Sequence, residues 1–276
     1  MTHPAASCAA RPWGLRNKTD FYLKYNRKEG DPKQVQAWSI TDVGQVRQHN
    51  EDACVAQIGD QVSLGVVCDG MGGANAGEVA SRIAADTFTQ VVMAGGFPPE
   101  ELMRAALEDA NREVYCHSWE HPECRGMGTT LVASAVMGDT AYILNVGDSR
   151  AYSIREHEIR QITQDHSLVA ELVRQGAITP EAARYHPRKN IITRALGTER
   201  SVTGDLFIHK VVPGEVILLC SDGLTNELTD QELLAIVRAG HPMEESCGRL
   251  INEANSRGAR DNITAVLMEL RPTTEE

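Results

Sequence analysis

Aromatic residues make up only 5% of this 276-residue chain, so its core must be built from aliphatic side chains. Long apolar runs are missing too. Stretches such as Val216-Ile217-Leu218-Leu219-Cys220 fall far short of the roughly 20 residues a membrane helix needs, so no membrane span is expected. The opening MTHPAASCAARPWG lacks the apolar region of a secretion signal. No C-x-x-C pair occurs among the seven cysteines, which argues against a zinc-thiolate site. Cys54, Cys68 and Cys220 sit in apolar runs and read as small core residues, and a reducing cytoplasm is the expected setting. Lys and Arg number 27 against 38 Asp and Glu, for a net charge of -11. That argues against nucleic acid as a partner, because clustered Lys and Arg are what hold phosphate backbones. It fits a protein that gathers carboxylates to hold cations.

What is present is ordinary globular material: 42% hydrophobic and 24% charged residues, enough for one large domain or two small ones. Residues 1–37 stand apart. They carry seven Lys/Arg, three Asp/Glu and no sustained periodicity, and are expected to form a flexible basic arm ahead of a domain at 38–272. Short β-type runs follow at 53–57, 62–68, 130–136, 141–146, 151–154, 215–220 and 263–270, bounded by Gly, Asp or Asn. Met137-Gly138-Asp139-Thr140 marks a hairpin turn. Helical stripes lie between the runs: Val79/Ala80, Ile83/Ala84, Phe88 and Val91/Val92; Met103, Leu107, Ala110 and Val114 after Pro99; and Cys247, Leu250, Ile251 and Ala254 before Gly258. Thr229 with Glu232 forms a capping box before Leu233–Val237. Strands in hairpins and helices in pairs favour antiparallel sheets covered by helices over a doubly wound sheet. Residues 160–197, with Gly176, Pro180 and Pro187, read as a flap of short helices and loops inserted between strands.

Acidic residues recur where the strands end: Glu51-Asp52, Asp69, Asp148, Asp222 and Asp261. One Asp at a strand end is usually a turn former; the repetition weakens that reading. Two like charges 4 Å apart repel by roughly 4 kcal/mol at an effective dielectric of about 20. A cluster of them needs protons or cations, and oxygen ligands suit Mg²⁺ and Mn²⁺. Two such ions bridged by a carboxylate can activate water and clamp a phosphoryl group.

Six motifs occur in order: Arg47-x-x-Asn50-Glu51-Asp52, Val67-Cys68-Asp69-Gly70-Met71-Gly72-Gly73, Gly126-Met127-Gly128-Thr129-Thr130, Gly147-Asp148-Ser149-Arg150, Cys220-Ser221-Asp222-Gly223-Leu224 and Asp261-Asn262-Ile263-Thr264. On these residues the chain resembles the metal-dependent Ser/Thr protein phosphatases of type 2C, and most closely their bacterial branch, over about residues 38–270. The resemblance implies an α+β fold, a four-layer α-β-β-α sandwich of two antiparallel sheets flanked by helix pairs, with a small flap. It implies two tightly bound Mn²⁺ or Mg²⁺ ions that activate water for in-line attack on phosphoserine and phosphothreonine. Asp69 would bridge them, with the Gly70 carbonyl on one ion and Asp222 and Asp261 on the other. Glu51 and Asp52 would act through water, Asp52 orienting the nucleophile. Arg47 would bind the phosphate, as a guanidinium fork suits its oxygens. Asp148 would share a weaker third metal with Asp222, or else only pin the turn at Gly147. The expected partners are phosphorylated proteins, a bacterial Ser/Thr kinase and its substrates, and the expected state is a monomer.

One departure from the family stands out. Eukaryotic members carry a His after the Asp-Gly pair where this chain has Met71, so leaving-group protonation falls to water or another group. His49 reads first as an exposed loop residue, while His166 and His186 in the flap are equally open to substrate contact and to plain solvent exposure. Gly70, Gly72 and Gly73 are expected to bring backbone close to the ions, and Gly126 and Gly128 to allow close sheet packing. Two other classes of function compete. A catalytically dead phosphatase fold acting as a binding module would have lost carboxylates, and all are present. A Mg²⁺-dependent nucleotide enzyme would need a phosphate loop, and no G-x-x-x-x-G-K-[ST] occurs.

Overall fold

The computed structural model describes residues 34–72 and 76–271. Most of the expected arm, Gly73 and the end of the expected domain at 272 lie outside the described residues. One antiparallel sheet runs β1 (Gln34–Asp42), β11 (Ile263–Arg271), β10 (Val216–Cys220), β7 (Arg150–Ile154), β8 (Ile159–Gln161) in spatial order. The other runs β2 (Asp52–Ile58), β3 (Ser63–Met71), β5 (Leu131–Met137), β6 (Thr140–Val146), β9 (Asp205–Lys210), with the short β4 (Gly128–Thr129) on the end of β3.

The layers follow from where the apolar side chains point. Helices α1 (Ala76–Ala94) and α2 (Pro99–Glu120) place Phe88, Met103 and Leu107 on Leu64, Leu131 and Leu144 of the second sheet. Helices α6 (Asp230–Val237) and α7 (Met243–Ser256) place Leu233, Val237, Leu250 and Ile251 on Tyr152, Leu218 and Leu267 of the first. Between the sheets, Val67, Val132 and Ile143 meet Ala151, Leu219 and Val266. Central strands are therefore buried on both faces, which is why they read as continuous apolar runs. The result is the four-layer α-β-β-α sandwich that the resemblance implies.

Local signals behave as their chemistry dictates. Thr229 and Glu232 close the capping box of α6, with Glu232 Oε2 accepting the Thr229 N–H at 2.8 Å. Gly138 at φ +63° makes the two-residue turn between β5 and β6. Cys68 and Cys220 are fully buried, and burial pushes the Cys54 and Cys220 thiols up to about 12, as inert core residues require. Among the described residues no helix is long and apolar enough to cross a membrane.

Two expectations are corrected. Strand pairing begins at Gln34, opposite Arg271, and Ala37 is buried, so residues 34–37 belong to β1 and not to the arm. A Cβ at Gly126 (φ +80°) would meet nothing within 4 Å, so this glycine serves a turn, whereas Gly128 is tightly packed as expected, a Cβ there lying 2.7 Å from Met71 Cε and 2.9 Å from the Leu196 carbonyl oxygen. The sheets themselves approach closely at Gly65, where a Cβ would lie 2.8 Å from Met268 Sδ. Asp222 opens a short helix, α5 (Asp222–Glu227), which is not among the helical stripes marked in the sequence. The flap holds α3 (Leu168–Arg174) and α4 (Pro180–Arg184), capped by Ser167 and Thr179, and is tied back by backbone bridges Ser167–Ile192 and Thr129–Leu196.

Candidate metal and phosphate site

Antiparallel register brings the carboxylates to one end of the sandwich. Asp52 opens β2 directly opposite Asp69 near the end of β3, and such neighbours carry Cβ atoms about 4.5–5.5 Å apart. In the other sheet Cys220 ends β10 flanked by Arg150 of β7 and Ala265 of β11; Asp222, Asp148 and Asp261 lie just past these strand ends. The sheets are locked together at this point. Asp52 Oδ2 accepts from Ser221 Oγ at 2.7 Å and from Thr264 Oγ1 at 2.6 Å.

Each acidic segment is held by its backbone. The Asp69 N–H donates to Thr130 Oγ1, and its carbonyl accepts from Thr129 Oγ1, both at 2.9 Å. The Glu51 N–H donates to Asn262 Oδ1 at 2.8 Å, while Asn262 Nδ2 donates to the carbonyls of Val43 and His49. The Glu51 carboxylate accepts from the Gly77 N–H in the first turn of α1, where the helix dipole favours negative charge. A Cβ at Gly70 would sit 2.1 Å from the Gly77 carbonyl oxygen and 2.5 Å from that of Glu51. Only glycine allows this approach.

Charge at this end is poorly compensated. Burial, then the charge of Asp222, pushes the Asp52 carboxyl up to about 7 and the Asp148 carboxyl up to about 8. Asp69 is pushed well above the ordinary carboxylate range, first by burial and then by Asp52, Asp222, Asp148 and Asp261. Asp222 rises through burial and Asp261. No three His, Cys, Asp or Glu side chains among the described residues converge on a common point as they stand. Asp52 Oδ1 is buried without a hydrogen-bond partner, a loss worth about 1–3 kcal/mol. An all-oxygen, over-charged donor set with an orphaned buried oxygen fits hard divalent cations.

The other expected residues fall as follows. Arg47 stands at the lip, its side chain 47% exposed, with Nη2 donating to Asp261 Oδ2 at 2.8 Å. His49 is an exposed loop residue. His166 is neither exposed nor aimed at substrate: it is 5% exposed. Its Nδ1 accepts the Gly147 N–H at 3.2 Å, and Nε2 lies 3.2 Å from both Asp205 Oδ2 and Arg194 Nη1. It is a staple between β9 and the turn that carries Asp148. His186 Nδ1 accepts the Arg188 N–H within the flap.

A cavity of about 500 Å³ opens beside Asp148 and Asp222 and is roofed by α3, α4, Lys189 and Asn190. Lys189 Nζ donates to Asn226 Oδ1 at 2.6 Å, and Asn226 Nδ2 to Asp222 Oδ2 at 3.0 Å, so a hydrogen-bonded chain joins flap to carboxylates. Arg150 grips Asp165 with Nε and Nη2 at 2.7–3.1 Å, anchoring the flap's first turn beside Asp148. The sequence analysis assigned no role to Ser221, Thr264, Asn262, Asn226 or Asp165. The first three neighbour motif carboxylates, the one signal that could have marked them; Asn226 and Asp165 have none.

Comparisons with known proteins agree with this architecture. The family profile described as Protein phosphatase 2C matches residues 44–268. The serine/threonine phosphatase stp of Listeria monocytogenes is 41% identical over 235 residues, 83% of this chain and 93% of that protein. The crystal structure of the serine/threonine phosphatase Stp1 from Staphylococcus aureus superposes with a TM-score of 0.82 at 38% identity, covering 89% of this chain and 98% of that one. The catalytic domain of the phosphatase PstP, solved with 2 manganese ions, gives a TM-score of 0.78 at 33% identity over 87% of this chain and 99% of that one. With its fold, its strand-end carboxylates and these likenesses in agreement, the chain belongs to the protein phosphatase 2C family.

Proposed function

We propose that this chain hydrolyses phosphoserine and phosphothreonine in proteins at the carboxylate end of the sandwich. The carrying observation is the mutually repelling set Asp52, Asp69, Asp148 and Asp222, with a buried, unpartnered oxygen on Asp52. Membership of the family makes the chain a Ser/Thr protein phosphatase; the assignments that follow are finer. Asp69, Asp222, Asp261 and the Gly70 carbonyl would hold two Mn²⁺ or Mg²⁺ ions. When bound, such a pair supplies Lewis acidity toward a water and toward the phosphoryl oxygens. Asp52, fixed through Oδ2 by Ser221 and Thr264, offers Oδ1 to orient the attacking water, and Glu51 supports the site through water. Arg47 releases Asp261 and turns its fork to the phosphoryl oxygens, stabilising charge as the ester bond breaks. Asp148 and Asp222 would share a third, weaker ion.

The flap cavity favours a protein substrate, since it offers polar, cationic walls at Arg174, Arg184 and Lys189 beside the carboxylates. In the cell the chain would work in the cytoplasm as a monomer, opposing a bacterial Ser/Thr kinase. Phosphate release from phosphothreonine peptides and from a nucleotide panel, each with Mn²⁺ and with chelator, tests the reading. Release from the peptides in Mn²⁺ alone is expected. Preference for nucleotides, or peptide turnover undiminished by chelator, would overturn it; binding of phosphopeptide without turnover would make the chain a binding module.

A further inference from the structure

One hydroxyl outside the six motifs stands where two hydrogen-bonded paths from Asp52 meet. Thr41 of β1 lies directly opposite Thr264 of β11, and their Oγ1 atoms are 2.7 Å apart. Thr264 Oγ1 donates to Asp52 Oδ2 at 2.6 Å. On the other side, Asn50 Nδ2 donates to Thr41 Oγ1 at 2.8 Å, and Asn50 Oδ1 accepts the Asp52 N–H at 3.1 Å. The two paths close a ring that leaves Asp52 at its carboxylate and returns to it at its backbone, crossing from one sheet to the other.

Proton counting gives the ring a direction. A hydroxyl has one proton to donate. That of Thr264 goes to Asp52 Oδ2, so Thr41 donates to Thr264, and the Thr41 oxygen accepts from Asn50. With Asn50 Oδ1 taken by the Asp52 N–H, the amide of Asn50 has one orientation, its NH₂ toward Thr41. Every member is used in the single sense that the others allow, and such networks rigidify when complete. Thr264 is fully buried and Asp52 is 8% exposed, so a bond lost at that end leaves an unsatisfied group.

We propose that Thr41 is a positioning residue for Asp52, its hydroxyl acting through Thr264 and Asn50 to fix the carboxylate that presents Oδ1 to the attacking water. The proposal rests on the role given to Asp52 under Proposed function. Ser221 Oγ also donates to Asp52 Oδ2, at 2.7 Å, so the carboxylate keeps one anchor without Thr41. One anchor leaves it free to turn; two hold it. Misplacement of a group that aims a reactant costs rate more than binding. Two substitutions separate hydroxyl from shape. Thr41→Val keeps the β-branch that suits a strand and loses the hydroxyl, while Thr41→Ser keeps the hydroxyl and loses the methyl.

The test is steady-state hydrolysis of a phosphothreonine peptide by the full chain in saturating Mn²⁺. Thr41→Val should lower kcat at least about tenfold with KM within about twofold of wild type. Thr41→Ser should restore kcat to within about threefold. In an Asp52→Asn background Thr41→Val should cost nothing further, the mark of a residue that acts through Asp52. In metal-free protein the Asp52 amide proton should exchange faster in Thr41→Val, because Asn50 has lost its tether. Should Thr41→Val not fold, Thr41→Ala against Thr41→Ser makes the same comparison. Wild-type kcat without the hydroxyl, or a serine variant as slow as the valine one, would overturn the proposal and leave the role of Asp52 standing. Wild-type turnover in Asp52→Asn would overturn both.

Discussion

Two carboxylates stand at opposite ends of the same strand, and they have opposite fates. Glu215 precedes β10. Its Oε1 accepts from His209 Nε2 at 2.6 Å and from Ser153 Oγ, its Oε2 accepts the Val212 N–H at 3.0 Å, and Arg155 lies 3.5 Å away. Burial alone would raise its pKa, but these hydrogen bonds, led by His209, take it down to about 2. Asp222 follows β10 and is pushed up by burial and by Asp261, with Asn226 as its side-chain hydrogen-bond partner. Both ends of the strand tie the sheets together, through Ser153, Glu215 and His209 at one and through Ser221, Thr264 and Asp52 at the other. Burial does not explain the difference, since Glu215 is fully buried and Asp222 only half-buried. Compensation does: one end is a finished structural clamp, the other carries charge that only a proton or a cation can settle.

The largest expected effect separates the two ends outright. Asp69→Ala should bind no tight Mn²⁺ pair and lose at least about 10³ in turnover, about 4 kcal/mol in the barrier, while the melting temperature of the metal-free protein holds or rises. Glu215→Ala should do the reverse, losing about 3–5 kcal/mol of stability because His209 and Arg155 lose their buried partner, with normal turnover per folded molecule. Denaturant titration beside steady-state kinetics reads both, and equal behaviour of the two variants would erase the distinction.

A smaller effect is expected at Asp148. Asp148→Ala should keep the fold and the tight metal pair yet turn over at least about tenfold more slowly, about 1.4 kcal/mol. Calorimetric metal titration checks the first half, and wild-type turnover would return Asp148 to the role of a turn former. Arg47→Ala, at the exposed lip, should retain both ions and raise the KM for phosphopeptide by about tenfold. Loss of bound metal equal to that of Asp69→Ala would contradict its placement on phosphate.

The smallest effect concerns pH. Asp52 and Asp148 titrate near 7 and 8 in the folded chain, against about 3.9 when unfolded. Between those values the folded state holds protons that the unfolded state has lost, so stability is fully present at low pH and is lost as pH rises toward 8. Metal-free protein should therefore melt lower at pH 8 than at pH 5.5, and saturating Mn²⁺ should abolish the difference. Glu215 adds no slope in that range, since its folded pKa lies below it.

Much of this molecule was legible from residues alone. Apolar runs such as Val216–Cys220 mark strands buried on both faces, and the Thr229 capping box marks a helix start. Edge strands were harder. β9 leaves Ile208 exposed and turns only His209 fully inward, so it carries no clean alternation, and β1 was masked by the basic composition of the stretch before it. The strand-end aspartates could be recognised, but their supports could not. Ser221 and Thr264 reach Asp52 across 169 and 212 positions of sequence, a meeting set by the register of two sheets. His166 likewise looks like any flap histidine until the turn at Gly147 closes over it.

The most direct test of the account is the proton balance of Mn²⁺ binding to metal-free protein near pH 7, measured by calorimetry in buffers of different ionisation enthalpy. The uncompensated carboxylate end predicts tight uptake of two Mn²⁺ with net proton release that shrinks as pH rises past 8, and no tight uptake in Asp69→Ala. Binding with no proton release at any pH, or tight uptake that survives Asp69→Ala, would contradict it.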